Sequence, residues 1–234
     1  MIFPEFSLGP IDISPILGYI IQYMERDKTW MLVFPIFFLL FCPKKTQTGT
    51  PYFPLAVGSR WVYDYLVLDW EEGEVDTIER GQVEILINQK DSFAEREIYE
   101  VVGKITTESD TFFDTLFWEA NEEGIFQYES LGAFPDTFLP LPLKKGKTWQ
   151  IASFYLLLLR DDPYYYYATN IGEDTVRVRG EKFGSAQRIE YAQTEEEISG
   201  VFWLVKNIGL VKLNDKEGEV DSYTESIFEW RREE

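Results

Sequence analysis

The chain has 234 residues, 45% hydrophobic and 17% aromatic, enough for a sizeable core in one or two domains. It has no histidine and a single cysteine, Cys42, which excludes Ser-His-Asp and Cys-His catalysis, histidine-ligated metals, intramolecular disulfides and Cys-rich zinc sites. The net charge of −19 all falls after residue 50, since the first fifty residues carry four basic and four acidic side chains. An acidic body of this kind keeps a protein soluble and repels nucleic-acid phosphates and anionic surfaces, so no nucleic-acid partner is expected.

Residues 1–42 read as an apolar leader, signal or membrane anchor rather than part of the fold. Met1, Met24 and Met31 are all usable starts. After Arg26 and Lys28 comes "LVFPIFFLLFC", an apolar run with the shape of a secretory signal and too short for a comfortable membrane span. Leu39-Leu40-Phe41-Cys42 resembles a bacterial lipobox, which makes Cys42 a candidate for lipidation. It departs from that pattern at Phe41, where a small residue is usual, and at Pro43. A plain signal peptide, an uncleaved anchor and a buried apolar element remain the alternatives. Upstream, "IDISPILGYIIQY" at 11–23 resembles the apolar "DxSP" segments of the YggT family of small membrane proteins. Residues 43–51, "PKKTQTGTP", read as a polar tether.

From residue 52 the chain reads as one β domain. "PLAVGSRW" at 54–61 and "PLKKGKTW" at 142–149 both fit PLxxGxxW, 88 residues apart. "FWEANEEGI" at 117–125 and "FWLVKNIGL" at 202–210 share a second phrase, 85 residues apart and in the same order. Two phrases in register predict two structural repeats, 52–132 and 139–220. Within them, Trp61, Tyr63, Tyr65 and Val67 alternate, as do Val83, Ile85 and Ile87, then Val176 and Val178, then Ile189 and Tyr191. Period-two alternation predicts half-buried strands. The expected fold is all-β and mainly antiparallel: a strongly curved sheet, half-barrel or barrel of roughly 9–11 strands, four or five per repeat. In each PLxxGxxW the glycine is expected to set a turn and the tryptophan to open a strand into the core.

"PYFPLAVGSRWVYDY" at 51–65 resembles the opening of the mature region in many uncharacterised bacterial secreted proteins and lipoproteins, and "WLVKNIGLVKL" at 203–213 resembles a later phrase of theirs. The resemblance covers 51–234. It implies a β-rich envelope protein and carries over no catalytic residue.

"FYLLLLRDDPYYYY" at 154–167 reads as two strands joined at Asp161-Asp162-Pro163, each apolar on both faces. Such a hairpin is either covered twice or meets a ligand, partner or lipid. In the second case Leu156, Leu158, Tyr164 and Tyr166 form the wall of an apolar groove or cavity. Acidic pairs such as Glu71-Glu72 and Glu122-Glu123 read as solvated loops, though two carboxylates facing across a cleft would suit glycoside hydrolysis. "LNDKEGEVD" at 213–221 has Leu213 where a calcium loop of the EF-hand type needs its first acid. There is no phosphate loop, dinucleotide fingerprint or zinc pattern, so no metal and no cofactor are expected. The leading expectation is a non-catalytic envelope protein, held at the membrane by its N-terminal lipid or apolar segment, that binds an apolar ligand or another envelope protein. The alternatives are a structural assembly module and, third, a carboxylate-dependent hydrolase.

Overall fold

The structure, a computed structural model, describes residues 52–152, 165–192, 199–219 and 222–232. Cys42, Leu156, Leu158 and Tyr164 lie outside the described residues.

Among the described residues, twelve strands make one antiparallel sheet. They are β1 (Arg60–Glu71), β2 (Glu74–Phe93), β3 (Arg96–Thr107), β4 (Thr111–Asn121), β5 (Gly124–Tyr128), β6 (Asp136–Pro140), β7 (Thr148–Ala152), β8 (Tyr165–Val178), β9 (Glu181–Ala192), β10 (Ser199–Val205), β11 (Gly209–Glu219) and β12 (Ser222–Arg231). The spatial order is β6-β5-β4-β3-β2-β1-β12-β11-β10-β9-β8-β7. Two six-stranded meanders are therefore joined where β1 pairs with β12, from Val62↔Arg231 to Glu71↔Ser222. The outer strands β6 and β7 come within 8 Å of each other, so the sheet curls into a nearly closed barrel. The expected all-β, antiparallel, strongly curved architecture is what the chain forms, with one strand more than the upper expectation. The first meander is β1–β6 and the second β7–β12; β6 straddles the start of 139–220 and β12 follows residue 220. β6 is five residues long and ends in Pro140, and β12 fully buries only Phe228, so neither carries a clear alternating pattern.

The two PLxxGxxW phrases build the same turn. Gly58 (φ 88°) and Gly146 (φ 79°) both take a backbone conformation that favours glycine. Gly58 N–H donates to Ile87 O at 2.9 Å, and Ile87 N–H donates back to Ser59 O at 2.9 Å. In the second phrase Gly146 N–H donates to Asn170 O at 2.7 Å, and Asn170 N–H donates back to Lys147 O at 2.9 Å. The turn thus clamps the start of each meander's first strand to its second. Trp61 and Trp149 follow as the second residue of β1 and β7, and both are buried in the barrel core. The phrases differ at their start, where the Leu141–Pro142 peptide is cis.

Strand alternation fills the barrel interior. Trp61, Tyr63, Tyr65, Val83, Ile85, Ile87, Ile189 and Tyr191 all point inward. Near the start of β1, Phe53 packs edge-on against Trp61 (5.8 Å) and Trp118 (5.6 Å), and Trp118 stacks on Phe138 (5.3 Å). The first strand is tied across the seam to β11 and the turn before it: Trp61 Nε1 donates to Ile208 O at 2.5 Å and Tyr63 Oη to Leu210 O at 3.0 Å. Both donors are buried, so each bond also removes an otherwise costly unpaired group.

The Phe-Trp phrases differ in phase. In β4 it is Trp118 that faces the core, whereas in β10 it is Phe202, and Trp203 turns outward. A register shift between Trp203 and Leu204 accompanies this. A small second core forms as a result. Shifts at Asn170/Gly172 and Asp174/Val176 re-aim the end of the β8–β9 hairpin. Val176, Val178, Phe183 and Ala186 then bury with Val211 against Trp203, Val205, Ile208 and Trp230. Polar anchors hold the same corner: Asp64 pairs with Arg179 and with Arg231 (3.5 Å), and Arg232 pairs with Glu181 (3.2 Å).

Candidate functional site

The same shifts that make the second core shape a groove beside it. Before them, β8 alternates strictly. Tyr166 and Ala168 go inward while Tyr167, Thr169 and Ile171 go to the opposite face. On β9, Ile189 and Tyr191 are inward while Arg188 and Glu190 are outward. Val201 on β10, Asn214 and Lys216 on β11, and Glu225 on β12 complete the lining. The groove has a volume of about 800 Å³ and is open to solvent, within the usual size range of small-molecule sites.

Its lining mixes apolar and polar groups. Tyr167 is 49% exposed and Ile171 37%. Beside them Arg188 Nη2 donates to Glu190 Oε1 at 2.5 Å, and its other terminal nitrogen lies 4.0 Å from Asp174 Oδ2. Asp174 in turn accepts from Trp203 Nε1 at 3.2 Å and from Thr175 N–H at 2.7 Å. These contacts hold its carboxyl below the usual range, the Trp203 indole first, then the Thr175 amide, then the Arg188 charge. One end of the groove is therefore fastened to the second core through Arg188, Asp174 and Trp203. At the other end Asn214 Nδ2 donates to Glu225 Oε1 at 3.4 Å. There Lys216 Nζ also sits 4.6 Å above the Tyr223 ring, which stacks on Trp70 at 5.6 Å. Beneath the groove, Tyr191 Oη donates to the buried Asp215 at 2.7 Å, and its ring lies so close over Gly200 that a Cβ there would meet it at 2.1 Å.

Two polar atoms of the lining, Arg188 Nε and Asn214 Oδ1, are buried without a hydrogen-bond partner among the described residues. One is a donor and the other an acceptor. No group of three or more metal-ligating side chains occurs among the described residues.

Of the residues expected to form an apolar wall, only Tyr166 is described, and the structure sets it in the core. It is 1% exposed, with its ring edge-on to Tyr191 at 5.5 Å. Alternation gives the groove the next ring along, Tyr167. Arg188, Asn214 and Lys216 are not marked in the sequence because they are outward residues of two strands, β9 and β11, and form no motif. The only trace was "QRIEY", where the apolar face is Ile189 and Tyr191 and the outward face is therefore Arg188 and Glu190.

A second, separate cluster lies on β3–β5. Tyr128 Oη donates to Glu119 Oε2 at 2.5 Å, Arg96 Nη1 donates to Tyr128 Oη at 2.8 Å, and Asn121 Nδ2 donates to Glu119 Oε1 at 3.1 Å. Every oxygen of the buried Glu119 is satisfied, which makes this a structural tie rather than a reactive group. Burial, then the Glu119 bond, pushes the Tyr128 hydroxyl up to about 12.

No protein-family model matches the chain, and no curated protein does. Two solved structures are similar in part. One is a candidate exported protein of Bacteroides fragilis with a YmcC-like fold, at TM-score 0.47 and 10% identity, covering 79% of this chain and 100% of that one. The other is a candidate lipoprotein of Parabacteroides distasonis, at TM-score 0.37 and 12% identity, with the same coverage.

Proposed function

We propose that the protein is a non-catalytic binding module of the bacterial cell envelope, exported and anchored through residues 1–42, whose groove on β8–β12 takes an amphipathic ligand. The carrying observation is the groove itself: about 800 Å³, lined by the apolar Tyr167, Ile171 and Val201 interspersed with the polar Thr169, Arg188, Glu190 and Asn214. The leader with its lipobox-like Cys42 supports export.

Native mass spectrometry of the full chain extracted from its own membranes tests this reading. The wild type is expected to retain a bound species that Val201→Trp, which fills the groove, releases. The same occupancy in both, or none in either, would remove the groove from the function. Intact mass from the same preparation reads whether the mature chain begins at a lipid-modified Cys42.

One observation favours the assembly-module alternative. β4 pairs with β5 only from Phe117 to Asn121, so the edge of residues 111–116 has no strand partner among the described residues. Phe112 and Phe113 stand exposed along it. An open edge with exposed rings suits addition of a strand from another protein. A stable hetero-complex in the native spectrum that Phe113→Glu dissociates would support it.

A further inference from the structure

We propose that the open edge of β4 at residues 111–116 takes an added strand from a partner protein, and that this strand alternates cationic with apolar side chains. The proposal is independent of the groove and rests on reading that edge as an assembly surface.

The second meander shows what the first leaves uncovered. Its fifth strand, β11, has 11 residues and covers β10 from Ser199 to Val205. The fifth strand of the first meander, β5, has 5 residues and pairs with β4 only from Phe117 to Asn121. The chain then turns on itself, with Ala133 N–H donating to Ser130 O at 3.1 Å before β6 begins at Asp136. On its other side β4 stays paired with β3 as far as Thr106↔Thr111, so the open edge is held as a strand. Thr115 N–H donates to Asp114 Oδ1 at 2.7 Å, so it is not spent on β3. Main-chain groups alternate sides along an antiparallel strand, so Thr111 and Phe113 present theirs to the same open side. A strand lying where a longer β5 would run, antiparallel to β4, would pair with them.

Side chains mark this edge as unguarded. β2 also runs past β3, over Glu74–Arg80, but there Glu74, Asp76, Glu79 and Arg80 place a charge at more than half the positions. Thr111–Leu116 carries only Asp114. Phe113 is 70% exposed, and Phe112 is exposed on the opposite face. β4 and β5 are antiparallel, so the loop that leaves β5 after Tyr128 lies at this same end. It adds an exposed Leu131 and Phe134, the latter 96% exposed. Exposed rings beside unpaired main chain are what strand addition covers.

Charge selects the partner. Residues 105–143 contain eight carboxylates and no lysine or arginine. Glu119 is tied to Arg96 and Tyr128, and Glu122 and Glu123 sit in the β4–β5 turn at the other end. The rest, Glu108, Asp110, Asp114, Glu129 and Asp136, flank the open edge and the loop beside it. Burial and then Glu129 raise the Asp136 carboxyl above its ordinary value, so negative charge is already crowded there. The base on β3 at this end is Lys104, opposite Phe113. A second copy would bring the same acids, and an anionic lipid surface would bring more of that sign. A basic strand brings the opposite charge.

The test is calorimetric titration of the full chain, in a non-ionic detergent, with blocked octapeptides that alternate valine with lysine, serine or glutamate. The lysine peptide is expected to bind about tenfold tighter than the other two, and to weaken in high salt. The same peptide N-methylated along its main chain should not bind, because it has no donors to pair with. Phe113→Ser is expected to weaken binding about fivefold and Asp114→Asn about threefold. Phe93→Ser, an exposed ring at the far end of β2, should leave it unchanged. Thermal unfolding of each variant separates loss of binding from loss of fold. Equal binding of the serine or glutamate peptide would overturn the charge assignment, and binding of the N-methylated peptide would overturn the strand pairing. Self-association of the full chain that Phe113→Ser abolishes, with no peptide bound, would make the occupant a second copy. If no peptide binds while Phe113→Glu still dissociates a hetero-complex recovered from membranes, the edge takes a partner of other chemistry. If neither effect is seen, the edge reading fails with it.

Discussion

Gly209→Ala is the sharpest test of how the two meanders lock together. Gly209 opens β11 at φ 102°, against the aromatic plug. A Cβ there would lie 3.0 Å from two carbons of the Phe53 ring and 3.2 Å from Trp61 Nε1. Neither neighbour can yield cheaply. Phe53 is held between Trp61 and Trp118, and Trp61 Nε1 is committed to Ile208 O. Two costs therefore add: about 1–3 kcal/mol for the backbone conformation and about 1–3 kcal/mol for overpacking. Gly58→Ala isolates the first, because Gly58 has φ 88° but nothing within 4 Å of its Cβ position. In urea unfolding followed by tryptophan fluorescence, with a slope of about 2 kcal/mol/M, Gly209→Ala is expected to fall about 1 M below Gly58→Ala. Adding Phe53→Leu should recover part of that difference and none of the Gly58→Ala loss. Equal midpoints for the two single variants would refute the account of the plug.

Stability should also fall on the alkaline side. Burial pushes the Tyr63 hydroxyl up, burial and then the Glu79 bond raise Tyr65, and Tyr128 is raised to about 12, all from an ordinary 10.0. A raised acid is favoured in its neutral form by the fold. Its contribution is complete below pH 10.0 and drains away as pH climbs through the folded value. Urea midpoints measured from pH 9 to pH 12 should decline, and less steeply in Tyr128→Phe; a flat profile would sink the argument. Phe183→Ala should open the second core and selectively expose the end of the β8–β9 hairpin, at a cost of about 3 kcal/mol. Hydrogen exchange that accelerates at residues 174–186 while β1–β4 stay protected would agree, and uniform acceleration would not.

Much of the architecture could be read before folding because it depends on local pattern. Alternation at Trp61, Tyr63 and Tyr65, and at Val83, Ile85 and Ile87, is forced by the pleat, and PLxxGxxW announces its turn through glycine. Phase was less legible. Phe-Trp reads identically at 117–118 and 202–203, yet the pleat buries Trp118 in β4 and Phe202 in β10. Val176 and Val178 were recognisable as a buried strand face, but which core they join depends on two shifts in β8 that no residue type announces. The groove was the least visible of all. It is assembled from outward side chains of five strands, and outward positions carry no periodic apolar signal. Within the tyrosine run, the strand's pleat assigns Tyr166 to the core and Tyr167 to the groove.

The strand order has one more consequence. β12 ends beside the point where β1 begins, with Arg231 opposite Val62, whereas no ladder joins β6 to β7 among the described residues. The covalent path and the hydrogen-bonded path therefore break at different places. Between β6 and β7 the chain is continuous and the sheet is open; between β12 and β1 the sheet is continuous and the chain is not. A circularly permuted chain, joined from residue 232 to residue 52 and opened within 141–147, would cross every existing ladder in the same order. For this barrel, which strand comes first is a matter of genetics, while which strands touch is a matter of structure.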